Sequence, residues 1–290
     1  MARRVWIGGG NNSVYNPNDW SPAGEPQPGD GLFIPNGVAN MVGGNLAGDT
    51  LIMYWQTFPP PPLAAAPVVN LFDGADLKAE SGSIFTPVHA TINVFGRDTL
   101  DATIYGTSAG SAGTYLTVDI HHHAVLNGSF DLAGGVSSVE GSGALHNQDS
   151  TVLEGSLTIT PAMIGTGQTD MQFASTLDVG GSVSRGQAFS FEGRDASLTI
   201  EHLSRFHGTV SDQSSAGPDN KIDLLGVHAD SYTLSDHVLR LFSASNEVVG
   251  RLRLDDQANS TFVGQGAAGV LVGLDLSSPP GGYTQLPVHS

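Results

Sequence analysis

The side chains best equipped for chemistry in this chain are the run His121-His-His123 and the carboxylates Asp178, Glu201, Asp219 and Asp223. On a strand, residues two apart share a face. His121 and His123 would then present two imidazoles together, and paired imidazoles bind zinc, copper or nickel. A tetrahedral site needs further ligands. His146 lies 23 to 25 residues on, but no His, Cys or Asp pattern completes the set. The plainer reading ends the strand at Ile120 and makes the triplet a solvated corner.

Asp178 and Glu201 would sit diagonally on neighbouring stretches of one outer face. Two carboxylates roughly 5–9 Å apart can support glycoside hydrolysis, one as acid and the other as base or nucleophile. Carboxylates on an outer wall are more simply read as solvating it. Basic residues that a lyase would need are few and scattered, as Arg185, Arg194 and Arg205. Asp219, Asn220 and Asp223 offer hard oxygens to a cation such as calcium, although an Asn-rich turn explains them equally. Gly106-Thr-Ser108-Ala-Gly110 has the spacing of a nucleophile elbow but leads into more Gly and Ser instead of a helix. These residues give no catalytic assignment, no firm cofactor and an open question on metal.

What must position any such residue is a repeat. Tyr115–Ile120, Gly135–Val139, Gly155–Ile159, Thr176–Val179 and Ala196–Ile200 are short β-type segments. Aligned on Leu116, Val136, Leu157, Leu177 and Leu198, they are 20, 21, 20 and 21 residues apart, and Phe95 lies 21 before Leu116. A fixed period near twenty, with Gly and Ser between period-2 segments, predicts a coiled solenoid. The fold class is therefore all-β: a right-handed parallel β-helix. Leu157/Ile159, Leu177/Val179 and Leu198/Ile200 should face inward, and Thr158, Asp178 and Thr199 outward.

Residues 1–67 read as an N-terminal cap holding all the tryptophans, Trp6, Trp20 and Trp55, followed by the Pro-rich excursion Phe58–Pro67. Aromatic side chains there would cover the first turn. Turns of about 20–21 residues run through 68–210, and 211–290 hold closing turns and a tail, Ser277–Gly282, with no core signal.

Charge removes one class of partner. Asp and Glu number 28 against 11 Lys and Arg, a formal net charge of −17. Nucleic acid is bound mainly through phosphate neutralisation by basic side chains, and anionic membrane surfaces attract the same residues. Without cysteine, thiolate chemistry and disulfides are excluded. No apolar run approaches the ~20 residues of a membrane span.

Two stretches carry a resemblance. Trp6-Ile-Gly-Gly-Gly, Asn18-Asp-Trp20 and Gly24-Glu-Pro-Gln-Pro-Gly-Asp30 form the first. Phe191–Ile200, Phe206-His-Gly-Thr-Val210 and Asp219-Asn-Lys-Ile-Asp-Leu-Leu-Gly-Val227 form the second. Both are similar to segments of bacterial autotransporter and adhesin passengers, which carry parallel β-helices. Phe206-His-Gly208 is also similar to a His-Gly element of pectin-type hydrolases, whose Asn-Thr-Asp and Asp-Asp elements are absent. The resemblance implies an extracellular or cell-surface location and a structural or adhesive role. The expected protein is non-catalytic and acts by self-association, as a homo-oligomer or filament, or by multivalent contact with a polysaccharide or host surface. A glycan-binding spike or a polysaccharide-degrading enzyme is the alternative.

Overall fold

The structure, a computed structural model, describes residues 3–7, 13, 15–25, 27, 30–34, 38–42, 45–47, 50–52, 68–72, 76–78, 84–85, 90–95, 99–101, 104–106, 114–122, 124–127, 130–132, 134–213, 219–255, 260–274 and 281–289. The chain forms two compact units, Met1–His146 and Asn147–Ser290. Each is built of short strands stacked as a parallel β-solenoid with three walls per turn.

In the second unit the first wall stacks Ser156–Ile159, Thr176–Val179, Ser197–Ile200 and Asn220–Leu225. Leu157, Leu177, Leu198 and Ile222 stand in register, as do Ile159, Val179, Ile200 and Leu224. All eight are at most 1% exposed. A fully buried aliphatic side chain contributes about 1.5–3 kcal/mol, and a one-residue slip would turn this whole set to water. That contrast fixes the register.

The third wall stacks Ser150–Leu153, Gln168–Met171, Ala188–Phe191 and Thr209–Asp212. Between the two lies a second, thinner wall of Ala162–Ile164, Val183 and Phe206, paired through Met163, Val183 and Phe206.

One corner is polar. Asn147 Nδ2 donates to Gln187 Oε1 at 3.1 Å, and Gln187 Nε2 donates to the carbonyls of Asn147 (2.8 Å) and Ile164 (3.0 Å). These residues straddle Gly167, where a Cβ would lie 2.5 Å from the Asp149 carbonyl oxygen and 2.7 Å from Asn147 Cγ. Only glycine leaves room for the amides to reach across an intervening turn.

Beyond residue 211, where closing turns are expected, the strands pair in both directions. Asn220–Leu225 is a true turn of the coil, but the strands after it reverse direction. Ser231–Ser235, Val238–Phe242 and Val248–Leu254 form an antiparallel meander whose last strand joins the third wall in parallel with Thr209–Asp212. Gly269–Leu274 lies antiparallel to Asn220–Leu225, and Ser260–Gln265 antiparallel to it in turn. Residues Asp236 and His237, both with positive φ, supply the tight reversal between the first two meander strands. Residues 277–280 of the expected tail lie outside the described residues; beyond Gly282 the chain packs, with Leu286 7% exposed and its N–H donating to the Val263 carbonyl.

The first unit uses the same construction with less regular spacing. Ala39, Val69, Ile92, Val118 and Val139 are in register on one wall, separated by 30, 23, 26 and 21 residues. Strand registers are constrained by burial, whereas connecting lengths vary at small entropic cost. Two alignments therefore change. Ser137, not Val136, lies over Leu116, and Val136 is 54% exposed. Ala90 is the partner of Leu116, so Phe95 falls at the strand end beside His121. At the N-terminal side, Arg3–Trp6 pairs in parallel with Gly31–Phe33 and antiparallel with Trp20–Ser21, placing Trp6 opposite Trp20. Trp20 is 1% exposed. Arg4 Nε donates to Asp30 Oδ2 at 2.6 Å, so an ion pair ties Asp30 to the strand Arg3–Trp6. Trp55 and the Pro-rich segment 58–67 lie outside the described residues.

These registers separate substitutions that composition alone would rank together. Leu177→Ala should lower unfolding free energy by about 2–5 kcal/mol, and Gly167→Ala by about 1–3 kcal/mol through overpacking. Val136→Ala should stay within about 0.5 kcal/mol. Denaturant titration of the three variants checks the order, and a large effect at Val136 would contradict the assigned register.

Candidate functional site

The histidine cluster resolves into a strand-end contact. His121 follows Thr114–Ile120, its Nε2 lies 3.0 Å from Asp119 Oδ2, and its ring stacks on Phe95 at 4.4 Å between centroids. His122 has φ of 54° and turns the chain away. His146 belongs to a different wall, paired with Asn127, and His123 lies outside the described residues. Among the described residues no three His, Asp or Glu side chains are placed to hold a metal ion. Most of Gly106–Gly110 also lies outside them.

On the outer side of the first wall in the second unit, Thr158, Asp178, Thr199 and Asp223 form one in-register column. Glu201 has left the strand, and its carboxylate stands over Gly180, where a Cβ would lie 2.9 Å from Oε2. Asp178 and Glu201 are thus diagonal, as their spacing implies, on an open wall. Asp223 ends the column. The Tyr283 hydroxyl donates to its Oδ1 at 3.3 Å. Burial pushes the Asp223 carboxyl above its ordinary value, and the Asp178 carboxylate adds to this; the Tyr283 hydrogen bond and Lys221 oppose it. The Tyr283 phenol is likewise raised, by burial first and then by the Asp223 charge.

Asn220 serves the loop it closes. Its Oδ1 accepts from the Ala196 N–H at 2.9 Å, and its Nδ2 donates to the Gly193 carbonyl at 2.9 Å and approaches the buried Asp212 carboxylate at 3.4 Å. That amide oxygen is engaged by the backbone, which sets it apart from the cation-ligand reading of Asp219, Asn220 and Asp223.

Sequence order concealed a second site. Arg185, Arg240, Arg251 and Arg253 line one open cleft of about 730 Å³, beside Phe206, His207 and Val249. These are four of the nine arginines in the chain. Arg185 comes from the turn after Val183, and the other three from the antiparallel meander. Leu239, Leu241, Leu252 and Leu254 are buried on the inner side of the meander. Alternation then sends Arg240, Arg251 and Arg253 outward. Gly250 gives way to the Leu203 side chain, which packs against the inner side of its strand.

Arg240 and Arg251 are directly opposed across the two strands. Like charges so placed are destabilising. Among the described residues Arg185, Arg251 and Arg253 have no carboxylate partner, and Arg240 donates only to the Ser235 hydroxyl, at 2.8 Å. The scattered appearance of the basic residues is therefore corrected for Arg185. Arg194 instead lies over the Phe173 ring, 5.4 Å from its centroid. The available signal was alternation: Val238-Leu-Arg-Leu-Phe242 and Arg251-Leu-Arg-Leu254 put each arginine opposite in phase to buried leucines.

The chain matches no protein-family model, no curated protein and no solved structure. What stands is the class of architecture, a parallel β-solenoid, defined by its own register.

Because the raised Asp223 carboxyl binds its proton more tightly in the folded protein than at its ordinary value of 3.8, its ionisation costs stability above its folded pKa. That cost vanishes as pH falls below the ordinary value. Asp223→Asn should therefore raise the thermal midpoint at pH 7, with the gain shrinking towards zero at pH 3. Calorimetry at both values checks this, and an equal gain at both would show that charge is not the cause.

Proposed function

We propose that this is a secreted or cell-surface structural or adhesive protein that works without catalysis, through side-to-side association or multivalent contact of its walls. The observation that supports this most is the in-register outer column Thr158–Asp178–Thr199–Asp223, a repeated surface on a stack of parallel strands. Stacked strands repeat about every 4.7–4.9 Å, so a partner with any regular surface meets many equivalent groups at once, and weak contacts multiply. The motif resemblance to adhesin passengers points the same way.

The strand edges favour the walls over the end as the contact surface. In the second unit, the outermost meander strand Ser231–Ser235 is covered on its free side. Tyr232 N–H donates to the Pro287 carbonyl at 3.1 Å, and the His289 N–H donates to the Tyr232 carbonyl at 2.6 Å. His289 also stacks on Phe242 at 4.2 Å. Thr284–Gln285, which borders the other sheet there, is two residues long. Covered and shortened edges resist strand addition.

A chain of net charge −17 repels its own copies. Raising ionic strength shortens the Debye length from about 10 Å at 0.1 M to about 3 Å at 1 M, so lateral association should grow with salt. Electron microscopy and light scattering at two protein concentrations, with sodium chloride and with calcium chloride at matched ionic strength, test this. Laterally packed arrays that increase with salt are expected, and a larger effect of calcium would point to bridged carboxylates. Discrete particles under every condition would remove self-association from the proposal.

A further inference from the structure

We infer that the arginine cleft of the second unit is a binding site for an acidic polysaccharide, recognised through carboxylate or sulfate groups on successive sugars. Three observations carry this. Arg240 and Arg251 are held opposite one another across paired strands, a placement that costs stability unless an anion lies between them. Arg185, Arg251 and Arg253 have no carboxylate partner among the described residues, in a chain with 28 acidic side chains. The four arginines line a common cleft of about 730 Å³ instead of dispersing over the surface.

The arrangement suits a linear, repeating anion. Arg251 and Arg253 are two residues apart on one strand and so about 7 Å apart along it; Arg240 and Arg251 are about 5 Å apart across the ladder. Guanidinium binds carboxylate and sulfate oxygens through paired N–H donors. Val248 and Val249, 41% and 42% exposed, stand among the arginines and give apolar surface for the C–H faces of sugar rings.

Two other anionic polymers fit less well. An acidic peptide could meet the same arginine cluster, but it brings no sugar C–H faces to the exposed Val248 and Val249, and strand addition beside the cleft is closed because the edge at Ser231–Ser235 is already covered by residues 287–289. Nucleic acid carries one charge per about 1.7 Å of duplex and needs an extended basic track, which a chain of net charge −17 would oppose beyond the cleft. The site is independent of lateral assembly, because its residues lie off the Thr158–Asp223 column.

The test uses the full chain and immobilised polygalacturonate, a sulfated glycosaminoglycan, neutral dextran and a single-stranded DNA oligonucleotide at low and physiological salt. Binding to one or both acidic glycans, weakened by salt and absent with dextran, is expected; the two glycans separate carboxylate from sulfate recognition. The double variant Arg240→Thr, Arg251→Thr should lose at least about tenfold in affinity while its thermal midpoint stays level or rises, since a like-charge pair has been removed. Arg185→Ser, in a turn outside the meander, should give a smaller loss and guards against misfolding of the double variant. No binding of either acidic glycan, full binding by both variants, or equal binding of the oligonucleotide would overturn the inference. Light scattering on the same variants distinguishes this from failure of the assembly reading, because self-association should be unchanged.

Discussion

Everything in this molecule depends on parallel strands being stacked in register, so that each inward side chain rests on the equivalent one of the next turn. In the second unit the columns headed by Leu157 and Ile159 leave no freedom to slip. The same constraint explains the less obvious residues. A corner that must bring two amides together across a turn admits only Gly167 between them, and a loop that must close before a strand uses the Asn220 side chain to hold both Ala196 and Gly193. Because the interior is committed to this stacking, chemistry is left to the outer columns and to places where the coil is interrupted.

The repeat was legible from sequence where it was most regular. Leu157, Leu177 and Leu198 carry the same alternation at nearly constant spacing, and the structure stacks them as that spacing implies. Legibility failed where spacing varied. Val136 has the right type at the right distance, but the segment Gly135–Gly141 is shifted by one, so a serine takes the inward place. Phe95 likewise matched the period without matching the strand. Loop length is a poor guide because it is weakly constrained, and only pairing reveals which residue lies over which.

Direction of pairing was also hidden. A strand reads alike whether its neighbour is parallel or antiparallel, so the segments after residue 225 looked like more turns. That difference decides where the arginines go. Had Val238–Phe242 and Val248–Leu254 been successive turns of a coil, Arg240 and Arg251 would not have been brought into opposition by a hairpin. The outward places of Thr158, Asp178 and Thr199 were readable in advance because they follow the parallel register, whereas Asp223 joins their column only through pairing, and the basic cleft arises from the departure from that register. The elevated Asp223 carboxyl was not readable, since its burial comes with Tyr283, sixty positions away.

Residues 287–289 lie against the outer edge of Ser231–Ser235, and the two-residue strand Thr284–Gln285 borders the opposite sheet. A new turn could not be stacked there without first displacing them. Turns such as those carrying Leu177 and Leu198, by contrast, have equivalent neighbours on both sides, so a duplicated twenty-residue copy between them would meet the same inward columns and the same corners. Variation in the length of such a coil is therefore expected to arise by duplication inside the stack, with the arginine-bearing meander carried along unchanged at its margin.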